Sequence, residues 1–149
     1  MQDQLALLYQ RASLGAELKQ VKAMLSNRSR DFKAYTANGE RIDLNHEVER
    51  FRSMFANSTR VRLDTKIEQA SQDRTGVTCR VKQVLIIEQP DPVRGQLMTI
   101  LLVTQAVDRW QPVNGKHRLV RTQLLSQSLG QGPPLPEDKR WPMQPDPKK

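Results

Sequence analysis

The chain has 149 residues, enough for one domain with a substantial core, but only 37% of them are hydrophobic and the formal net charge is +8. Its single cysteine excludes an intrachain disulfide and a cysteine-based zinc site, and its two histidines lie far apart, so we expect neither a metal site nor a cofactor. The basic residues are dispersed and aromatic residues are scarce, which argues against nucleic-acid binding, and no apolar run approaches the ~20 residues of a membrane span.

The N-terminal part of the chain shows helical periodicity. A first helix over residues 2–14 is predicted by four residues at helical spacing, namely Leu5, Leu8, Tyr9 and Ala12. A second, short helix is predicted over 18–26 and a strand over 31–36, followed by Asn38-Gly39, a pair that favours a tight hairpin. Asp43 is placed to cap a third helix, whose apolar stripe comprises Leu44, Val48, Phe51 and Phe55.

After the third helix the apolar period changes from 3.6 to 2. Four long strands are predicted, over residues 59–72, 77–89, 96–110 and 116–128. Helices followed by an antiparallel meander indicate an α+β fold, with three N-terminal helices packed on one face of a strongly curved sheet. The segment from Leu129 holds six of the nine prolines, so we predict one domain over residues 1–128 and a Pro-rich disordered tail over 129–149.

Three stretches of the sequence carry a resemblance to a known superfamily. They are RDFKAYTANGER (30–41), DLNHEVERFRSMFA (43–56) and DRWQPVNGKHRLVRTQLLS (108–126). With the order of elements, they resemble the nuclear transport factor 2-like superfamily, and in particular its SnoaL-like bacterial domains of unknown function, over residues 4–128. The resemblance implies a cone-shaped fold with a pocket between helices and sheet, and a homodimer. His117 stands where this superfamily commonly has a tryptophan.

Strand alternation predicts which polar residues face the cone. If Val61 and Leu63 face inward, the same parity brings polar side chains into an apolar pocket, and two tyrosines are candidates for its mouth. The candidate pocket residues are Tyr9, Tyr35, Gln83, Gln105, Arg121 and Gln123. A β-bulge would reverse such assignments. Arg121 is the sharpest candidate, because a buried guanidinium needs an anion such as a carboxylate; the alternative is a solvated arginine at an open rim.

The opposite face of the predicted sheet is unusually apolar for a lone domain. A homodimer through this face is therefore expected, with the contact residues Val84, Met98, Ile100 and Leu102.

No catalytic residue is predicted. A base of the ketosteroid isomerase type would be a carboxylate three residues before Gly39, where Thr36 stands, and the predicted inner face holds neither a carboxylate nor a histidine. We therefore expect a non-catalytic small-molecule-binding or accessory domain with an apolar or anionic ligand.

Two alternatives to this function stay open. One is a SnoaL-like cyclase or isomerase acting on an apolar carbonyl-bearing substrate, with Arg121 stabilising negative charge. The other is a basic domain that binds an anionic polymer or surface. The sequence as it stands predicts a cytoplasmic protein, or an exported one if a signal peptide has been removed.

Overall fold

The computed structural model of the protein describes residues 2–132, which form three helices and one six-stranded sheet. The helices are α1 (Gln2–Glu17), α2 (Val21–Met24) and α3 (Leu44–Ala56). The strands are β1 (Arg28–Tyr35), β2 (Arg41–Asp43), β3 (Arg60–Gln72), β4 (Val77–Pro90), β5 (Leu97–Val113) and β6 (Lys116–Gly132). The predicted α+β class and the order of elements are confirmed.

The sheet has the strand order β2-β1-β6-β5-β4-β3. Strands β3 to β6 form the expected antiparallel meander, whereas β1 pairs with β6 in parallel. Register shifts interrupt the ladders at Ile67/Gln69, Gln105/Ala106 and Arg109/Trp110. Such bulges increase the local twist, and the sheet is curved. We call the face that packs against the helices the concave face and the other the convex face.

The core lies between the helices and the concave face. Helix α1 buries one stripe at spacings of four, three and four, made of Leu5, Tyr9, Ala12 and Ala16. Gly15 allows α2 to approach closely, since a Cβ atom there would lie 2.5 Å from the Met24 backbone nitrogen. In α3 the predicted apolar stripe also packs into the core.

The two Asn-Gly pairs form different turns. Asn114 and Gly115 have φ values of 52° and 80°, and Val113 pairs with Lys116, so this is the tight two-residue hairpin that the pair favours. At the first pair only Gly39 has a positive φ, of 86°. The tight-hairpin prediction is wrong there, because β1 and β2 stop pairing at Tyr35 and Arg41 and leave a longer loop.

Two further boundaries differ from expectation. Asp43 is the N-cap residue of α3, but its side chain makes no cap hydrogen bond; its Oδ1 lies 3.2 Å from Nδ1 of His46 instead. Strand β6 continues four residues past Ser128, with Leu129 opposite Leu102 and Gly132 opposite Thr99. The remainder of the predicted tail, 133–149, lies outside the described residues.

Candidate functional site

A cavity of about 70 Å³ lies between the helices and the concave face of the sheet. Helix α1 contributes Tyr9 and Ala12, and the apolar wall also includes Phe51, Leu63, Leu85, Leu102, Ala106 and Leu124. Strands β5 and β6 and helix α3 add polar and charged groups to this wall, including Thr104, Asp108, Thr122, Glu47 and Arg50. The cavity is therefore apolar with a few polar groups, as small-molecule sites are.

Asp108 on β5 is the most unusual group in this wall. It is only 2% exposed. The Tyr9 hydroxyl donates to its Oδ2 at 2.5 Å, and the Thr122 hydroxyl donates to its Oδ1 at 2.7 Å. Trp110 Nε1 in turn donates to the Tyr9 oxygen at 3.0 Å, and the two rings pack edge to face. We call Tyr9 and Asp108 the Tyr9–Asp108 pair.

Burial perturbs both members of this pair. Removal from water raises the pKa of the Asp108 carboxyl, although the hydrogen bonds from Thr122 and Tyr9 work in the opposite direction. Burial also raises the pKa of the Tyr9 hydroxyl well above its usual value, and the adjacent charge of Asp108 raises it further. Burial therefore favours the protonated form of both groups.

A second polar group at the cavity consists of Arg28, Glu47 and Arg50, which we call the arginine–glutamate cluster. Arg28 Nε donates to Glu47 Oε1 at 2.7 Å, and both side chains are largely buried. Arg50 Nη2 lies 3.7 Å from Glu47 Oε2, and Arg50 Nε is buried with no hydrogen-bond partner. The cluster holds two guanidinium groups and one carboxylate, so it carries a net positive charge.

Among the described residues, 2–132, no group of three or more histidine, cysteine, aspartate or glutamate side chains is placed to hold a metal ion. No helix within the same range is long and apolar enough to cross a membrane.

The fold is shared with solved structures from several bacteria. The Kfla4162 protein from Kribbella flavida matches with a TM-score of 0.67 at 14% identity, over 85% of this chain and 93% of that one. A cystatin-like protein of unknown function from Nostoc punctiforme matches at 0.54 and 16% identity, over 83% and 90%. An NTF2-like protein from Cytophaga hutchinsonii matches at 0.57 and 11% identity, over 83% and 96%.

The chain has the cystatin-like fold of nuclear transport factor 2-like proteins. No family model matches the sequence, and no curated protein sequence matches it. At such low identities the likeness extends to the fold alone, and the site has to be interpreted from its own residues.

Within this nuclear transport factor 2-like fold, only two of the six predicted pocket residues line the cavity. Tyr9 and Gln83 do so. Arg121 is exposed, with its guanidinium carbon 4.6 Å from the centre of the Tyr35 ring. Gln123 donates to the Thr36 carbonyl oxygen at 3.1 Å. The predicted placement of four residues in the cone is therefore wrong, for Tyr35, Gln105, Arg121 and Gln123.

The registers of β5 and β6 explain three of these four errors, those at Gln105, Arg121 and Gln123. Gln83 pairs with Thr104 and Cys79 with Asp108, and directly opposed residues share a face, so the even-numbered residues of β5 are concave. Gln105 therefore lies on the convex face, and the prediction of a pocket without a carboxylate is wrong because Asp108 lines it. In β6 the shift at Arg109/Trp110 reverses the parity after Leu119.

Sequence reasoning could have found Asp108 through Trp110. A tryptophan in a half-buried strand points inward, and Trp110 is only 1% exposed. Asp108 precedes it by two residues and must share its face. The arginine–glutamate cluster has no comparable signal, because its members come from β1 and α3 and meet only through the tertiary fold.

The predicted dimer face mixes the two sides of the sheet and is wrong as a single surface. Leu102, Ile100 and Met98 pair with Leu85, Ile87 and Gln89 and are therefore concave, whereas Val84 is convex. Convex apolar residues do adjoin one another, since Val84 pairs with Val103 and Ile86 with Leu101. These four residues form what we call the convex patch.

An open depression of about 460 Å³ lies beside the β5–β6 turn. Its charged or titratable lining residues are all basic, namely Arg11, Lys116, His117 and Arg118. Arg118 donates to the Ser26 carbonyl oxygen at 2.7 Å, which ties the hairpin to the end of α2. The basic residues of this hairpin thus face solvent and the helices' ends.

Proposed function

We propose that the protein binds a small, mostly apolar molecule in the concave cavity, and that the Tyr9–Asp108 pair holds a carbonyl or hydroxyl group of that molecule. The observation that carries this proposal is the buried Asp108 carboxyl group on the wall of an apolar cavity. Burying a carboxyl group costs free energy unless hydrogen bonds from the protein or from a ligand compensate for the lost hydration. The surrounding apolar wall supplies the rest of the binding surface.

The chemistry of the pair suits a carbonyl ligand. When Asp108 is protonated it can donate to the Tyr9 oxygen, which has a second lone pair for Trp110. The Tyr9 proton is then available for a ligand oxygen. A carboxylic acid kept neutral by an apolar site acts as a hydrogen-bond donor in this way.

The size of the cavity limits the ligand. At about 70 Å³ it is far smaller than the roughly 300–1,000 Å³ of sites for drug-sized molecules. A molecule of one small ring or a short chain fits this volume better than a multi-ring substrate.

Binding is tested with cyclohexanone and cyclopentanone as probes, followed by ligand-observed NMR. The wild type should bind saturably, and Tyr9→Phe and Asp108→Leu should each weaken binding roughly tenfold, as expected for one lost hydrogen bond. Gln105→Leu is the matched control on the convex side of the same strand and should change nothing. Absence of saturable binding, or equal losses in all three variants, contradicts the proposal.

A second candidate function is acid–base catalysis of the SnoaL-like kind, a cyclase or isomerase acting on a carbonyl compound. It is favoured by the raised pKa of Asp108, because a buried carboxylate is a stronger base than a solvated one and can both take and return a proton. The ionised carboxylate would remove a proton from the carbon next to a carbonyl, and the electron pair of that C–H bond would move onto the carbonyl oxygen. Contrary to the expectation from the sequence, the cavity wall does contain a carboxyl group that could act as a base, that of Asp108.

Exchange of the α-protons of cyclohexanone in D₂O separates binding from catalysis. An enzyme should accelerate exchange above the buffer rate, and Asp108→Leu should abolish that acceleration. Saturable binding without acceleration leaves the binding proposal standing and excludes this catalytic candidate.

We also propose a homodimer through the convex patch. Its four apolar residues are contiguous by strand register, and Leu101 is 37% exposed. Exposed contiguous apolar surface of this kind commonly marks an interface.

A further inference from the structure

We infer that the ligand of this cavity carries a carboxylate, which Arg50 of α3 holds, while its carbonyl or hydroxyl group reaches the Tyr9–Asp108 pair. This inference rests on the proposed binding function and narrows it to small keto or hydroxy acids.

The hydrogen bonding of Arg50 is incomplete. Its Nε is buried with no hydrogen-bond partner, and the 3.7 Å from Nη2 to Glu47 exceeds hydrogen-bond length. Glu47 already accepts a short bond from Arg28 at 2.7 Å. A buried N–H group without a partner is unfavourable, so Arg50 has donor capacity that an acceptor in the cavity would satisfy.

The charge balance of the lining points the same way. The charged residues around the cavity are two arginines, Glu47 and Asp108. Arginine stays protonated in proteins, whereas burial favours the neutral form of Asp108. Glu47 is shared by the two arginines, so the arginine–glutamate cluster keeps one partly compensated positive charge, on Arg50, whose side chain is 37% exposed. One carboxylate neutralises this charge.

The hydrogen-bonding chemistry of the two groups also suits such a ligand. A guanidinium presents paired N–H donors that fit the two oxygens of a carboxylate, which makes arginine the usual residue for this recognition. Arg50 and the Tyr9–Asp108 pair line the same cavity, and most of the remaining wall is apolar, including Phe51, Leu63 and Leu102. The fitting ligand is therefore short, with a carboxylate at one end, an apolar middle and an oxygen function near the other end.

The test compares 4-oxopentanoate with its methyl ester, which keeps the carbonyl and loses the charge. By ligand-observed NMR at neutral pH, the wild type should bind the acid at least tenfold more tightly than the ester. Arg50→Met should remove this preference and still bind the ester, which also shows that the variant is folded. Arg52→Met is the matched control, since Arg52 is exposed on the same helix and pairs with Glu49; it should keep the preference.

The outcomes separate the two proposals. Equal or tighter binding of the ester by the wild type, or an unchanged acid preference in Arg50→Met, overturns the inference and leaves the binding function intact. Failure of both compounds to bind overturns both.

Discussion

Asp108 reaches the cavity because of the register that β5 adopts against β4. It lies opposite Cys79, whose thiol is fully buried in the same core and whose pKa burial raises to about 11. Two residues later Trp110 fills the core and donates to Tyr9. Trp110 thus helps to position the Tyr9 hydroxyl that donates to the Asp108 carboxyl group.

The raised pKa of Asp108 makes a prediction about stability. A folded-state pKa above the unfolded value of about 3.9 means that the unfolded chain loses its proton first as the pH rises. Wild-type stability should therefore fall relative to Asp108→Asn between about pH 4 and the folded-state pKa, and stay level above it. Thermal melting of both proteins across this pH range measures the difference. A difference in melting temperature that is independent of pH would contradict the raised pKa.

At the scale of elements, an ion pair between Asp73 and Arg109 connects the β3–β4 turn to β5. Arg109 donates from Nη1 to Asp73 Oδ2 at 2.8 Å and from Nη2 to Oδ1 at 2.9 Å, and it also contacts the Thr75 and Thr78 hydroxyls. Asp73 Oδ1 also accepts the backbone N–H groups of Thr75 and Gly76. These bonds, above all those from Arg109, hold the pKa of Asp73 well below its usual range.

The ion pair between Asp73 and Arg109 predicts a pH dependence of stability opposite to that of Asp108. The stability that Asp73 contributes should be lost as the pH falls, whereas that of Asp108 is lost as the pH rises. A depressed folded-state pKa stabilises the fold above the unfolded value of about 3.9, and the gain is lost as the pH falls below it. Asp73→Asn should lower the melting temperature at neutral pH and flatten its decline in acid. Asp91→Asn is the matched control, since Asp91 accepts the Val93 backbone N–H at 2.8 Å in a comparable turn and, within residues 2–132, forms no ion pair with an arginine side chain. Similar melting temperatures at neutral pH for the wild type and Asp73→Asn would contradict the role of the ion pair.

The sequence predicts the order and type of the helices and strands better than it predicts which residues of β5 and β6 face the core. In β3 and β4 apolar and polar residues alternate, so the inward placement of Val61, Leu63 and Val81 follows from sequence and is confirmed. Strand β5 has apolar residues on both faces, as its run from Ile100 to Val103 shows, and alternation cannot orient it. In addition, two register shifts between β5 and β6 reverse which alternate residues face the cavity, and the hydrophobic pattern of the sequence does not indicate where these shifts lie.

On the scale of the whole molecule, we assign different roles to the two faces of the sheet. The concave face carries the cavity, and the convex patch carries the proposed homodimer contact. A dimer formed back to back through the convex patch would leave both cavities open to ligand.

If the protein dimerises through the convex patch, a single charged residue placed there should disrupt the dimer. Val103→Lys places two lysines at a symmetric apolar contact, where unpaired charge is costly, and should give a monomer by sedimentation velocity at micromolar concentration. Val93→Lys is the control, because Val93 is 90% exposed in the β4–β5 loop; this variant should sediment as the wild type does. A monomeric wild type, or a dimeric Val103→Lys, would rule out this interface.

Ligand binding at the Tyr9–Asp108 pair is tested most directly by protein-observed NMR. The wild type is titrated with 4-oxopentanoate and with cyclohexanone, and the signals of the Asp108 carboxyl carbon and the Tyr9 ring are followed. Both groups should show saturable shifts with either probe, and Arg50 should respond to the acid alone. Shifts confined to the basic depression at Arg11 and Arg118, with Asp108 and Tyr9 unchanged, would contradict ligand binding at this pair.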